Sequence, residues 1–113
     1  MAMYFVMDER GEPQRETDLE AWSRWFQRAD RRIARTIVSA DVTVLTIFTG
    51  VDESADDEGA SLLFETRVFG GVLSGECARH RTRDEALAVH TEFVVWCRIG
   101  NSPNAGVTED LMR

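Results

Sequence analysis

The run DVTVLTIFTG, residues 41–50, constrains this chain more than any other stretch. It is rich in β-branched residues and has apolar side chains at odd and even positions alike. That is the pattern of a central strand. Strand patterns stand on either side of it. RIARTIVS, 32–39, sets Ile33, Arg35 and Ile37 on one face and Ala34, Thr36 and Val38 on the other. LLFETRVF, 62–69, alternates: Leu62, Phe64, Thr66 and Val68 point one way, Leu63, Glu65, Arg67 and Phe69 the other. Gly70 and Gly71 turn the chain, and ECARHR, 76–81, makes a fourth strand of the meander. A short first strand, MYFVM at 3–7, ends in DERGEPQRE, where Gly11 and Pro13 act as breakers.

Two helices complete the set. Thr17 and Glu20 have capping-box spacing, and Leu19, Trp22, Trp25 or Phe26, and Ala29 follow as one apolar stripe. Arg24, Arg28 and Arg31 lie on the other side of that helix. Thr82 and Glu85 repeat the device, and Ala86, Val89 or His90, Phe93 and Cys97 follow at helical intervals up to Gly100. The order β-α-β-β-β-β-α, with short connections, predicts an α+β fold of two layers. An antiparallel sheet of four or five strands would carry both helices on one face. Residues 1–100 form the domain, and 101–113 a tail that is mobile or ordered by a partner.

The net charge is −7, which repels a phosphate backbone and argues against a nucleic-acid partner. All thirteen basic residues are Arg. Arg24, Arg28, Arg31, Arg32 and Arg35 cluster, as do Asp52, Glu53, Asp56, Asp57 and Glu58 in a solvated loop, so the surface is polarised. No run of about 18 apolar residues is present to span a membrane. The first ten residues do not read as a signal peptide, and the cytoplasm is the expected compartment. Two cysteines, Cys77 and Cys97, are expected to be free thiols.

Chemistry is sparse in these motifs. Cys77, His80, His90 and Cys97 could be assembled as a zinc site on paper. However, His90 and Cys97 are seven residues apart on one helix, roughly 10 Å along its axis, too far to converge on one ion. His90 is expected at a helix surface or boundary, and Cys97 as a buried thiol. Glu65 and Arg67 read most plainly as an ion-paired solvent face, worth about 0.2–1 kcal/mol. With Leu63 and Phe69 flanking them, they also suit the polar centre of a docking surface. General acid–base chemistry would need a second carboxylate or a histidine nearby, and a pocket. No cofactor, metal or catalytic residue is assigned. The expected partner-binding residues are Leu63, Glu65, Arg67 and Phe69, the acidic loop, and Arg24, Arg28 and Arg31.

The segments MYFVMDERGEP (3–13), DLEAWSRWFQRADRRIART (18–36), VTVLTIFTGVD (42–52), LLFETRVFGG (62–71) and TRDEALAVH (82–90) span about four fifths of the chain. In order and spacing they resemble a group of small proteins carried by tailed bacteriophages and prophages of GC-rich bacteria. The resemblance brings no active site with it. It implies a phage context and a non-enzymatic protein, expected as a homodimer, that binds a host or phage protein. Its sharpest form is an inhibitor of a host defence complex, as anti-CRISPR proteins are. The alternatives are an assembly accessory of the phage and, third, a small enzyme.

Overall fold

The computed structural model describes residues 2–52 and 61–100. Nine elements follow in order: β1 (Met3–Met7), β2 (Pro13–Glu16), α1 (Leu19–Arg28), β3 (Arg32–Ser39), β4 (Val42–Phe48), β5 (Val51–Asp52), β6 (Phe64–Phe69), β7 (Cys77–His80) and α2 (Arg83–Gly100). The fold is α+β, and every strand pair in it is antiparallel.

The predicted meander is there as a four-stranded sheet in the order β3-β4-β6-β7, with β4 central. The N-terminal strand does not join it. β1 lies at the centre of a second, three-stranded sheet, between β2 and β5. The helices divide accordingly: α1 packs on β1 and β2, while α2 packs on all four strands of the larger sheet. The arrangement with both helices on one sheet is therefore replaced by one helix per sheet.

Gly50 makes the division possible. β4 and β5 are one passage of chain with a kink between them, and Gly50 sits at the kink with φ +77°, a conformation that favours glycine. Its carbonyl accepts the Phe5 amide at 2.9 Å and the Trp22 indole N–H at 3.2 Å. The central strand thus leaves one sheet and starts an edge of the other.

β2 comes from the stretch expected to be only a turn. Asp8 builds that turn: its Oδ1 accepts the amides of Arg10 and Glu12, and its Oδ2 accepts the Gln14 side chain. These bonds hold the Asp8 carboxyl below its ordinary value, the Glu12 amide contributing most. Pro13 is tolerated as the first residue of an edge strand.

The cap of α1 is Asp18, whose Oδ1 accepts the amides of Glu20 and Ala21, rather than Thr17. Glu20 does not reach back; it pairs with Arg24 one turn on, at 3.4 Å. A carboxylate one residue later both caps and complements the positive helix end, so it displaces the hydroxyl. At α2 the predicted box is formed: Thr82 N–H donates to Glu85 Oε1, and Glu85 N–H donates to Thr82 Oγ1, each at 3.1 Å.

The core beneath α2 has two apolar parts. One gathers Val42, Val44, Val68, Phe93, Val94 and Cys97. The other gathers Phe48, Leu63, Phe64 and Ala86, with Phe5, Met7 and Trp25 packed against it, which ties the small sheet to the large one. A polar rung lies between them. His90 Nε2 meets Thr36 Oγ1 at 2.9 Å, its Nδ1 meets Thr46 Oγ1 at 2.8 Å, and Thr46 Oγ1 meets Thr66 Oγ1 at 2.7 Å. His90 is buried, not at the helix surface, and burial lowers its pKa. Each ring nitrogen has a hydroxyl partner, which offsets the cost of burying a neutral imidazole.

Candidate interaction face

α2 covers only one face of the larger sheet, and β-pairing places the residues of the other. Across β4, β6 and β7, Ile47 stands beside Glu65 and Glu65 beside Arg79. The next rank on the same face runs Arg35, Leu45, Arg67, Cys77. The last runs Ile37, Thr43, Phe69. Period-two alternation fixes all of these on the face away from α2, because their neighbours Val44, Thr46, Phe48, Phe64, Thr66 and Val68 are the buried ones.

Glu65 is the best-enclosed charge on this face, its side chain 14% exposed. Two guanidinium groups hold it: Arg67 Nε lies 3.5 Å from its Oε2, and Arg79 Nε 3.3 Å from its Oε1. Arg67 also donates to Cys77 Sγ at 3.6 Å. Burial and the nearby Glu65 carboxylate push the Cys77 thiol up, which leaves it a poor nucleophile. Arg35 is exposed and has no ion pair among the described residues. Three arginines therefore stand against a single glutamate, on a chain whose net charge is −7. Ile37 and Phe69, 61% and 48% exposed, supply the apolar part at one end.

Glu65, Arg67 and Phe69 take their predicted places. Leu63 does not: it is 4% exposed and belongs to the core cluster against which Phe5 and Met7 pack. The small sheet closes over that end, so alternation alone puts Leu63 on the wrong side of the solvent boundary. Ile33 is likewise drawn inward, because a register irregularity between Arg32 and Ala34 breaks the period it shared with Arg35.

The two charged clusters fare differently. Asp52 is buried, in β5 opposite Met3, and is not a loop residue at all. Glu53, Asp56, Asp57 and Glu58 lie outside the described residues, as does the segment 101–113. Arg24 is engaged with Glu20, and Arg28 is exposed. Arg31 is structural: it donates to the Phe48 carbonyl at 2.9 Å and lies 4.0 Å over the Phe26 ring. The arginines that do form a surface, Arg35 and Arg79 beside Arg67, come from three strands. Their only trace in the sequence is the even spacing of charge along each strand, and the register is needed to bring them together.

Cys77 is exposed on the open face, whereas His90 and Cys97 are buried under α2, with the sheet between them. His80 is also buried on the covered side; its Nε2 has no hydrogen-bond partner among the described residues, and burial lowers its pKa. No helix among the described residues is long and apolar enough to cross a membrane. Comparison with protein-family models, with curated proteins and with solved structures finds no match.

Proposed function

We propose that this protein acts by binding an acidic protein surface through the open face of its larger sheet, and not by catalysis. The observation that carries this is the excess of guanidinium on that face beside exposed Ile37 and Phe69. Interfaces favour Arg and aromatic residues at such positions. Glu65 orients Arg67 and Arg79 while leaving each with spare donors, and Arg35 offers all of its own, in the fork geometry that matches a partner's carboxylates. The same face supports no general acid–base pair: its described residues include no histidine, and its one carboxylate is held by two cations.

The phage resemblance supplies the setting. The partner is a host or phage protein, and inhibition of a host defence complex is the sharpest form of the reading. Tagged protein expressed in the host, captured and read by mass spectrometry, tests it when wild type is run beside an Arg35→Glu/Arg79→Glu variant. A partner retained by wild type and lost by the variant is the expected result. Identical recoveries from both would remove the open face from the reading. A nuclease-sensitive partner would reassign the face to nucleic acid.

A further inference from the structure

A second unpartnered surface lies on α2. The helix buries Ala86, His90, Phe93, Val94 and Cys97, yet it also exposes Trp96 and Ile99 on its solvent side and, along one flank, Leu87 and Val95, 36% and 45% exposed. Leu87, Thr91 and Val95 succeed one another every four residues, and Asp84 and Arg98 stand three residues beyond either end. All five are exposed and lie on one stripe of the helix. Over its whole length the stripe advances by 3.5 residues per step, the repeat that lets two helices stay in contact.

The stripe is also self-complementary. Laid antiparallel on a copy of itself about Thr91, it sets Asp84 against Arg98, Leu87 against Val95, and Thr91 against Thr91. Asp84 and Arg98 have no ion-pair partner among the described residues. The Thr91 hydroxyl already donates to the Leu87 carbonyl at 3.1 Å, so it can enter a dry seam without an unsatisfied donor. Thr91, and exposed Ala88 next to the stripe, are small enough for close helix approach.

We propose that a second copy of this chain covers this face, through a two-fold antiparallel pairing of α2 with α2 of its mate. The seam spans about 21 Å at 1.5 Å per residue, which puts it at the small end of specific interfaces and makes the dimer concentration-dependent. Because α2 lies on the covered side of the sheet, the seam leaves both open faces uncovered. One dimer therefore presents two docking faces.

Charge reversal tests this independently of any partner. Wild type sedimenting as a dimer that dissociates on dilution is expected. Asp84→Arg alone and Arg98→Asp alone each place like charges across the two-fold axis. Each should weaken self-association at least about tenfold, with unchanged circular dichroism. Mixed in equal amounts, the two variants regain both opposite-charge contacts and should form a heterodimer. A wild type that stays monomeric up to about 0.5 mM, below which a specific small interface would associate, overturns the proposal. So does a dimer insensitive to both reversals, which would mean that another surface pairs and that α2 is covered by something else.

Discussion

The two faces of the larger sheet are built from alternate residues of the same four strands, yet they handle polarity in opposite ways. On the covered face Thr36, His90, Thr46 and Thr66 answer one another in a chain of three hydrogen bonds, and His80 Nε2 alone is left without a partner among the described residues. On the open face Glu65 is shared by two arginines, and donors are left over. The first pattern specifies how α2 sits on the sheet; the second leaves affinity unspent. A charged group on an exposed sheet face thus becomes informative about function when it is paired incompletely, not merely because it is charged.

The contrast breaks most sharply on matched aromatic truncations. Phe48 is fully buried, with its ring 5.5 Å from Phe64 and 5.9 Å from Trp25. Phe48→Ala should cost about 3–5 kcal/mol in chemical denaturation, whereas Phe69→Ala on the open face should cost under about 1 kcal/mol. Equal losses would show that the open face is covered in solution. Register comes next, since both faces depend on it. Gly70 has φ +86°, and a Cβ there would run into the carbonyl oxygen of Asp41, the residue before β4. Gly70→Ala should therefore destabilise by about 2–4 kcal/mol, read from the shift in denaturation midpoint.

The polar rung sharpens the comparison. His90→Leu leaves the Thr36 and Thr46 hydroxyls short of a partner and should cost about 1–3 kcal/mol. The pH dependence has a definite sign. Burial lowers the His90 and His80 pKa values below 6.5, so protonation favours the unfolded chain. Their contribution is fully present above about pH 6.5 and lost as pH falls from there through the lowered folded values. Thermal melts should weaken over that window, and His90→Leu should flatten part of the dependence. Smallest in stability is Glu65→Gln, at about 0.2–1 kcal/mol. It frees Arg67 and Arg79 to reorient, so its effect should appear in partner binding, measured by titration calorimetry, far more than in melting.

The central strand, the alternation of 64–69 and the cap of α2 were legible because each is a strong periodic or stereochemical signal carried by contiguous residues. β2 was not, since PQRE has neither apolar period nor β propensity and is held by the Asp8 turn and by pairing with β1. Nor was the separation into two sheets, because Gly50, which divides β5 from β4, looked like the end of a strand rather than a passage between sheets. Glu65, Arg67 and Phe69 could be placed by alternation. Arg35 and Arg79 could not be joined to them before the cross-strand register was known, and Leu63 was misplaced because the boundary between core and solvent is set by the small sheet.

That kinked passage through Gly50 has a mechanical corollary. Since a single run of backbone supplies the middle of one sheet and the rim of the other, neither can peel away without dragging its neighbour's hydrogen bonds along. The molecule should melt as one cooperative unit, with calorimetric and van't Hoff enthalpies in agreement, despite having two separate layers of strands.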